Sequence, residues 1–292
     1  MKKMFFTFTL IALFLFTAIL LLNTFLFSRV YQEAETPESV MEDSAFLSTA
    51  EMGENSFVSD RVSVTLTEYE YEGTAVYAAK VETDDPSLLK TAFAQSAYGK
   101  NLTATTSEIA GDVDAILAIN GDYYGVQEKG YVLKNGVLYR STPAEGREDL
   151  VIWSDGSFSI ITETDISAEE LLEKGAVQIL SFGPALLEDG EIQVSAGEEV
   201  GKAKASNPRT AIGIDENGAY YFVVSDGRTE ESEGLSLSEL AEFMKELGCV
   251  TAYNLDGGGS STMVFLGRVV NNPTTGGGRI KERSVSDAVY IG

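Results

Sequence analysis

Histidine is absent from the 292 residues, and cysteine occurs once, at Cys249. Without an imidazole, a Ser-His-Asp triad, a Cys-His dyad and a His-ligated zinc site are excluded, because each needs a ring nitrogen that titrates or coordinates near neutral pH. One thiol makes neither an internal disulfide nor a multi-cysteine cluster. It lies in the apolar run 249–253 and reads as a buried, inert side chain. Positive charge is scarce too: 21 Lys and Arg stand against 45 Asp and Glu, a net −24. That balance argues against nucleic acid as a partner, since a phosphate backbone calls for a basic stripe. An anionic substrate would have to meet locally gathered cations, and any acid, base or nucleophile must be a carboxylate, Tyr, Lys, Ser or Thr.

Long apolar runs are represented by one segment. Met4 to Ser28 is interrupted only by Thr7, Thr9, Thr17, Asn23 and Thr24, and follows Lys2 and Lys3. As a helix it reaches about 36 Å, against about 30 Å for a bilayer core. Residues 1–28 are therefore expected to be a cytoplasmic tip and an uncleaved transmembrane signal anchor, with the lysines inside and the bulk of the chain extracytoplasmic. Secretion after signal-peptide cleavage is the alternative. From Arg29 to Phe57 seven acids stand against one base. The segment 29–57 reads as an acidic, flexible linker with too little apolar surface to offset its ordering entropy. Residues 58–292 suit one large domain.

Within that domain strand signals dominate, beginning with the alternation Val62, Val64, Leu66 and continuing at 74–81. Asn135-Gly136, Asp155-Gly156, Asp189-Gly190 and Asn217-Gly218 each separate β-prone runs and accept the positive φ of tight hairpin turns. Two capping boxes, Ser167 with Glu170 and Ser236 with Glu239, announce helices. After the second, Leu237, Leu240, Ala241, Met244 and Leu247 form a core-facing stripe ended by Gly248. The expected class is α+β, a largely antiparallel mixed sheet core with a few packed helices, preceded by the membrane helix.

Four polar clusters stand where strands end. Asn120-Gly121-Asp122-Tyr123-Tyr124 follows a buried run and brings an amide, a carboxylate and aromatic faces to a sheet rim, a combination suited to a sugar; an ordinary Asn-Gly turn is the plain alternative. Asn207-Pro208-Arg209-Thr210 runs into an apolar strand, and a guanidinium entering a core needs an anionic partner, either a structural carboxylate or a ligand phosphate. Ser225-Asp226-Gly227-Arg228 closes another strand, and reads alone as a solvated turn. The most specific is Asn254-Leu255-Asp256-Gly257-Gly258-Gly259-Ser260-Ser261-Thr262. Three glycines in a core mark a tight bend or a close approach to a ligand, and consecutive amides there suit an anion-binding nest. No nucleotide-binding glycine motif and no EF-hand pattern is present.

Taken in order, Ala118–Tyr123, Asn207–Gly213, Asp226–Arg228, Asn254–Ser261 and Glu282-Arg283-Ser284-Val285 resemble the phosphodiester glycosidase family, over about Val58 to the C-terminus. Ser284 stands where family members often have proline, and the cysteine-rich appendages of the animal members are absent. The resemblance implies hydrolysis of the bond between a sugar's anomeric carbon and a phosphodiester, with a phosphorylated glycan as substrate. It makes Asp256 the leading carboxylate, as nucleophile or water-activating base, with Glu282 as its partner and Asp122 as a third candidate. Arg209 and Arg283, then Arg228, would hold the phosphate. Asn120, Tyr123, Thr210, Ser260, Ser261 and the amides of Gly257, Gly258 and Gly259 would orient sugar or phosphate. The residues fit this chemistry independently, because a phosphate monoester leaves readily and a histidine acid is dispensable. No cofactor is firmly implied; a divalent cation between Asp256 and Asp122, serving a phosphodiesterase, is the one left open, and a noncatalytic phosphoglycan-binding module is the other reading.

Overall fold

The computed structural model describes residues 2–25, 27–34, 39–42, 44–195, 197, 206–275 and 278–292. All four turn dipeptides join antiparallel neighbours, pairing Val137 with Lys134, Ile152 with Phe158, Glu188 with Glu191, and Ile214 with Tyr220. At Asn135-Gly136 and Asp189-Gly190 both residues have positive φ, the conformation that makes a two-residue turn follow the twist of its strands.

The largest sheet of the described residues has nine strands, all antiparallel. Its centre is Cys249–Asn254, Thr210–Asp215, Tyr220–Ser225, Thr74–Thr83 and Val62–Tyr71. One face carries Ile212, Phe222 and Tyr253, which pack with Ile119, Met263 and Val289 of a five-stranded sheet and with Leu150 of another. The opposite face carries Ala211, Val223 and Ala252 and receives Leu237, Leu240, Ala241 and Met244 of the helix Leu237–Glu246. Period-two strands thus feed two cores at once, one between sheets and one under a helix. Ser236 and Glu239 form the expected reciprocal cap, and Ser167 caps Ala168–Glu173. The α+β, largely antiparallel expectation holds for the body of the chain.

Two expectations at the N-terminal end do not. Lys2–Phe25 is helical, yet among the described residues no helix is long and apolar enough to cross a membrane, so the transmembrane anchor is not supported. The segment 29–57 is not a bare tether. Arg29–Glu33 pairs with Ala97–Lys100, and Glu51–Met52 with Ser56–Val58 extends the nine-stranded sheet. Phe46 and Phe57 are buried and stack at 5.8 Å between ring centroids, while Glu33, Glu51 and Glu54 face solvent. Average composition hides this division: a few apolar residues at the right positions anchor a segment whose Glu33, Glu51 and Glu54 remain hydrated.

Candidate active site

Three strand ends meet at one rim of the nine-stranded sheet. Ala211 pairs with Asn254 at the last rung between their strands, so Arg209 and Asp256 emerge side by side just past it. Thr210 pairs with Val224 on the other flank, and the Ser225 amide donates to the Arg209 carbonyl, so the turn carrying Arg228 leaves from the same place. The chain after Asp256 bends back, its Gly258 amide donating to the Pro208 carbonyl at 2.8 Å, and Arg283 is tied on through its own amide to the Gly259 carbonyl. Gly258 has φ +64, and a Cβ there would stand 2.7 Å from Arg228 Nη2. At Gly257 a Cβ would come within 2.9 Å of the Pro208 carbonyl oxygen. The glycines thus make room for an arginine and for a neighbouring backbone.

The result is a cleft of 190 Å³ lined by Phe182, Asn207, Arg209, Arg228, Asn254, Leu255, Asp256, Gly257, Gly258 and Arg283. Asp256 is its one lining carboxylate. Arg283 Nη2 donates to both Asp256 oxygens, at 3.1 and 2.9 Å, and Ser260 Oγ donates to Oδ2 at 2.6 Å. Arg283 Nε in turn donates to Ser260 Oγ at 2.9 Å, so arginine, serine and carboxylate form a closed ring. Arg209 is buried, with Nε donating to the Leu235 carbonyl at 2.8 Å. Arg228 donates to Asn207 Oδ1 at 2.9 Å. Burial first, then the charges of Arg283 and Arg209, lower the Arg228 pKa from its ordinary value. Three guanidinium groups in an acidic molecule repel one another at this point, and an entering dianion or monoanion relieves that repulsion.

A model of the phosphodiester glycosidase family matches residues 114–292, more than half the chain. The chain belongs to that family. It is 30% identical over 225 residues to N-acetylglucosamine-1-phosphodiester alpha-N-acetylglucosaminidase of Mus musculus, covering 70% of this chain and 43% of the relative. It is 31% identical over 175 residues to the SPbeta prophage-derived uncharacterized protein YomE of Bacillus subtilis (strain 168), covering 59% and 26% respectively. The chain therefore spans less than half the length of these curated relatives. The catalytic domain of the zebrafish N-acetylglucosamine-1-phosphodiester alpha-N-acetylglucosaminidase, in a form auto-inhibited by its pro-peptide, shares the fold at TM-score 0.62 and 21% identity, covering 91% of this chain and 87% of that one.

All of the residues lining this glycosidase-family cleft lie inside the matched stretch. Of the residues expected at the site, Arg209, Arg228, Asp256, Gly257, Gly258 and Arg283 line it, and Ser260 braces it from behind. The others are placed elsewhere. Asn120 is fully buried beneath the cleft: Nδ2 donates to the Asp256 carbonyl at 2.6 Å, while Oδ1 accepts from Thr210 Oγ1 at 2.9 Å and the Thr262 amide at 3.2 Å. Asn120 and Thr210 thus hold the loop and do not face the cleft. The expected anion nest is not formed by the amides of Gly258, Ser260 and Ser261, which donate to the carbonyls of Pro208, Gly257 and Gly258. Gly259 and Ser261 pack below the loop, buried. Glu282 turns away to receive the Ser107 amide and hydroxyl at the start of the helix Thr106–Asp112. Tyr123 is 44% exposed, outside the lining.

Asp122 belongs to a buried ion network. Its Oδ2 accepts from Lys134 Nζ at 3.0 Å and from the Ser181 amide at 3.1 Å, and its Oδ1 accepts from the Tyr124 amide at 3.0 Å. Lys134 lies between Asp122 and Asp287, 2.9 Å from the latter. Burial opposes the Lys134 charge, but the two carboxylates outweigh it and raise its pKa. Burial, then the Asp122 charge, pushes the Asp287 carboxyl up to about 7. A cation shared by Asp256 and Asp122 has no support, because Asp122 is engaged here and lies outside the cleft lining. Among the described residues no group of three His, Cys, Asp or Glu side chains is placed to hold a metal. Phe182 and Leu255, which line the cleft, were not expected at the site. Asn207 and Asn254 stood in quoted motifs without a role; Asn254 lines the cleft with a buried Oδ1 that has no hydrogen-bond partner.

Proposed function

We propose that this chain hydrolyses the glycosidic bond of a sugar-1-phosphodiester, with Asp256 acting at the anomeric carbon and Arg209, Arg228 and Arg283 on the phosphate side. The observation that supports it is the convergence of three guanidinium groups around one carboxylate in a cleft of 190 Å³. A phosphate monoester leaves as a stable anion, so the demanding step is stabilising its departing charge. Arginines do this through paired N–H donors, and no acid with a near-neutral pKa is needed. The cleft's single carboxylate fits a mechanism that needs one group on the sugar face. Glu282 and Asp122 are not part of this reading.

Asp256 either attacks the anomeric carbon or directs a water at it, and the stereochemistry of the released sugar separates the two. Direct attack gives net retention; water attack gives inversion. Asn254 and the Phe182 ring are the remaining side chains available to a sugar. A substrate in extracellular or cell-envelope glycans is part of the proposal and is supported by the apolar run Met4 to Ser28 behind Lys2 and Lys3, a pattern that suits an exported chain. The full chain, incubated with a panel of sugar-1-phosphodiesters in oxygen-18 water, is expected to release sugar carrying the label. Label in phosphate instead would mean phosphorus–oxygen cleavage, and no release from any member of the panel would leave a binding module.

A further inference from the structure

A second cavity, of 740 Å³, opens on the other side of the Asp226-Gly227-Arg228 turn: Asp226 lines it, whereas Arg228 lines the cleft. Two residues of chain span at most about 7 Å, so the two spaces are near neighbours. In the strand Val62–Tyr71, Val62, Val64 and Leu66 face the core, and the same two-residue period carries Glu68 and Glu70 onto that side where the strand runs past the core and both are exposed. Glu68 stands directly opposite Tyr77 on the adjacent strand. Both line the cavity, together with Asp226 and Glu231. None of these four carboxylates forms an ion pair among the described residues. Asp226 is buried, and its oxygens accept only from neutral groups: the Asn271 side chain at 3.3 Å, and the Asn272 amide and side chain at 2.8 and 3.0 Å.

Tyr77 is 8% exposed and its ring lines the cavity, yet among the described residues its hydroxyl has no hydrogen-bond partner. Burial, then the charges of Asp226 and Glu68, push the phenol up to about 12, so it remains a neutral donor. A nine-tenths buried tyrosine whose hydroxyl stays accessible and unpartnered, its aromatic face, the buried Asp226 and the solvent-exposed Glu68, Glu70 and Glu231 share one space large enough for a sugar ring.

We propose that this cavity binds an organic ammonium ion carrying hydroxyl groups, the chemistry of an unacetylated amino sugar. Glu68 and Asp226 supply the opposing charge, the Tyr77 ring supplies a cation–π surface, and the Tyr77 hydroxyl donates to a ligand oxygen. A bare divalent cation fits less well, because the Asp226 oxygens are already held by three N–H donors. Glu68 and Tyr77 precede residue 114, where the family match begins, so half of the site lies outside the matched stretch. The inference does not require the neighbouring cleft to be catalytic.

The test is calorimetric titration of the full chain with glucosamine, using N-acetylglucosamine as the uncharged counterpart. Glucosamine is expected to bind saturably and at least about tenfold more tightly than N-acetylglucosamine, and Glu68→Gln to weaken it about tenfold, since the charge-assisted contact with the ligand's ammonium group is removed. Tyr77→Phe, which keeps the ring and loses the hydroxyl, should weaken it several-fold; circular dichroism confirms that both variants fold. Equal affinity for the two sugars, no glucosamine binding, or binding unchanged in Glu68→Gln overturns the proposal. So does loss of glucosamine binding in Arg209→Ala with Glu68→Gln silent, which would put the ligand in the cleft.

Discussion

Asp256 and Asn120 are two buried side chains with opposite assignments, and substitution distinguishes them. Asp256→Asn keeps the size of the side chain and its contact with Ser260 but removes the charge that meets Arg283 and the anomeric carbon. Turnover on a sugar-1-phosphodiester is expected to fall by about 10² to 10⁴-fold with the fold retained, and full activity would remove Asp256 from the chemistry. Asn120→Ala acts on the scaffold. It strands the Thr210 hydroxyl, the Thr262 amide and the Asp256 carbonyl in a dry interior, and each buried group left unpaired costs about 1–3 kcal/mol. The denaturation midpoint should drop sharply, and activity should fall as a consequence. At this scale the sequence showed which residues gather but not which way they point: Asn120 and Asp256 both stand in rim motifs, and only the fold turns one inward and the other into the cleft. The Cys249 thiol was legible, since burial, then Asp215, pushes its pKa up to about 12 and keeps it unreactive.

Among the elements, the hairpins and caps carried their own local signals and formed where the turn dipeptides and capping boxes stand. Ser236→Ala is expected to cost about 1 kcal/mol, because the hydroxyl that receives the Glu239 amide is lost while the hydrophobic stripe below it is untouched. The helix Thr106–Asp112 accounts for where Glu282 points. In sequence Glu282 stands beside Arg283 and looks like part of the site, but successive residues of extended chain point to opposite sides, and its carboxylate serves the N-terminal turn of a helix 175 residues earlier. Glu282→Gln should lower stability by about 0.3–1 kcal/mol through the lost carboxylate at that helix end. Its kcat should stay within a few-fold of the parent; a thousand-fold loss would restore Glu282 to the mechanism.

Across the whole molecule, the least legible feature was long-range burial of charge. No local pattern announces that Asp122, Lys134 and Asp287, from three separate strands or strand ends, meet in the interior, or that Asp149 is fully enclosed. The same limit explains the segment 29–57, whose acids dominate its composition although Phe46 and Phe57 anchor it. Buried carboxyls leave a signature in the pH dependence of stability. Burial, then the Asp122 charge, pushes Asp287 up to about 7 in the folded chain, and Asp149 is raised well above its ordinary value by burial and then by the Glu163 charge, whereas the unfolded chain releases these protons near 4. Between those limits the native state holds protons that the unfolded state has lost, so stability falls as pH rises through the window. The contribution is fully present below about pH 4 and gone above the folded pKa. Asp85, held below its ordinary value by Ser87 and then Arg61, acts in the opposite sense but only at more acid pH. The melting temperature of the full chain is therefore expected to decline from pH 5 to pH 8 at constant ionic strength. Asp149→Asn, which cannot ionise, should flatten that decline and raise the melting temperature at pH 8; a parent profile that is flat or rising over the same interval would contradict the burial of these charges.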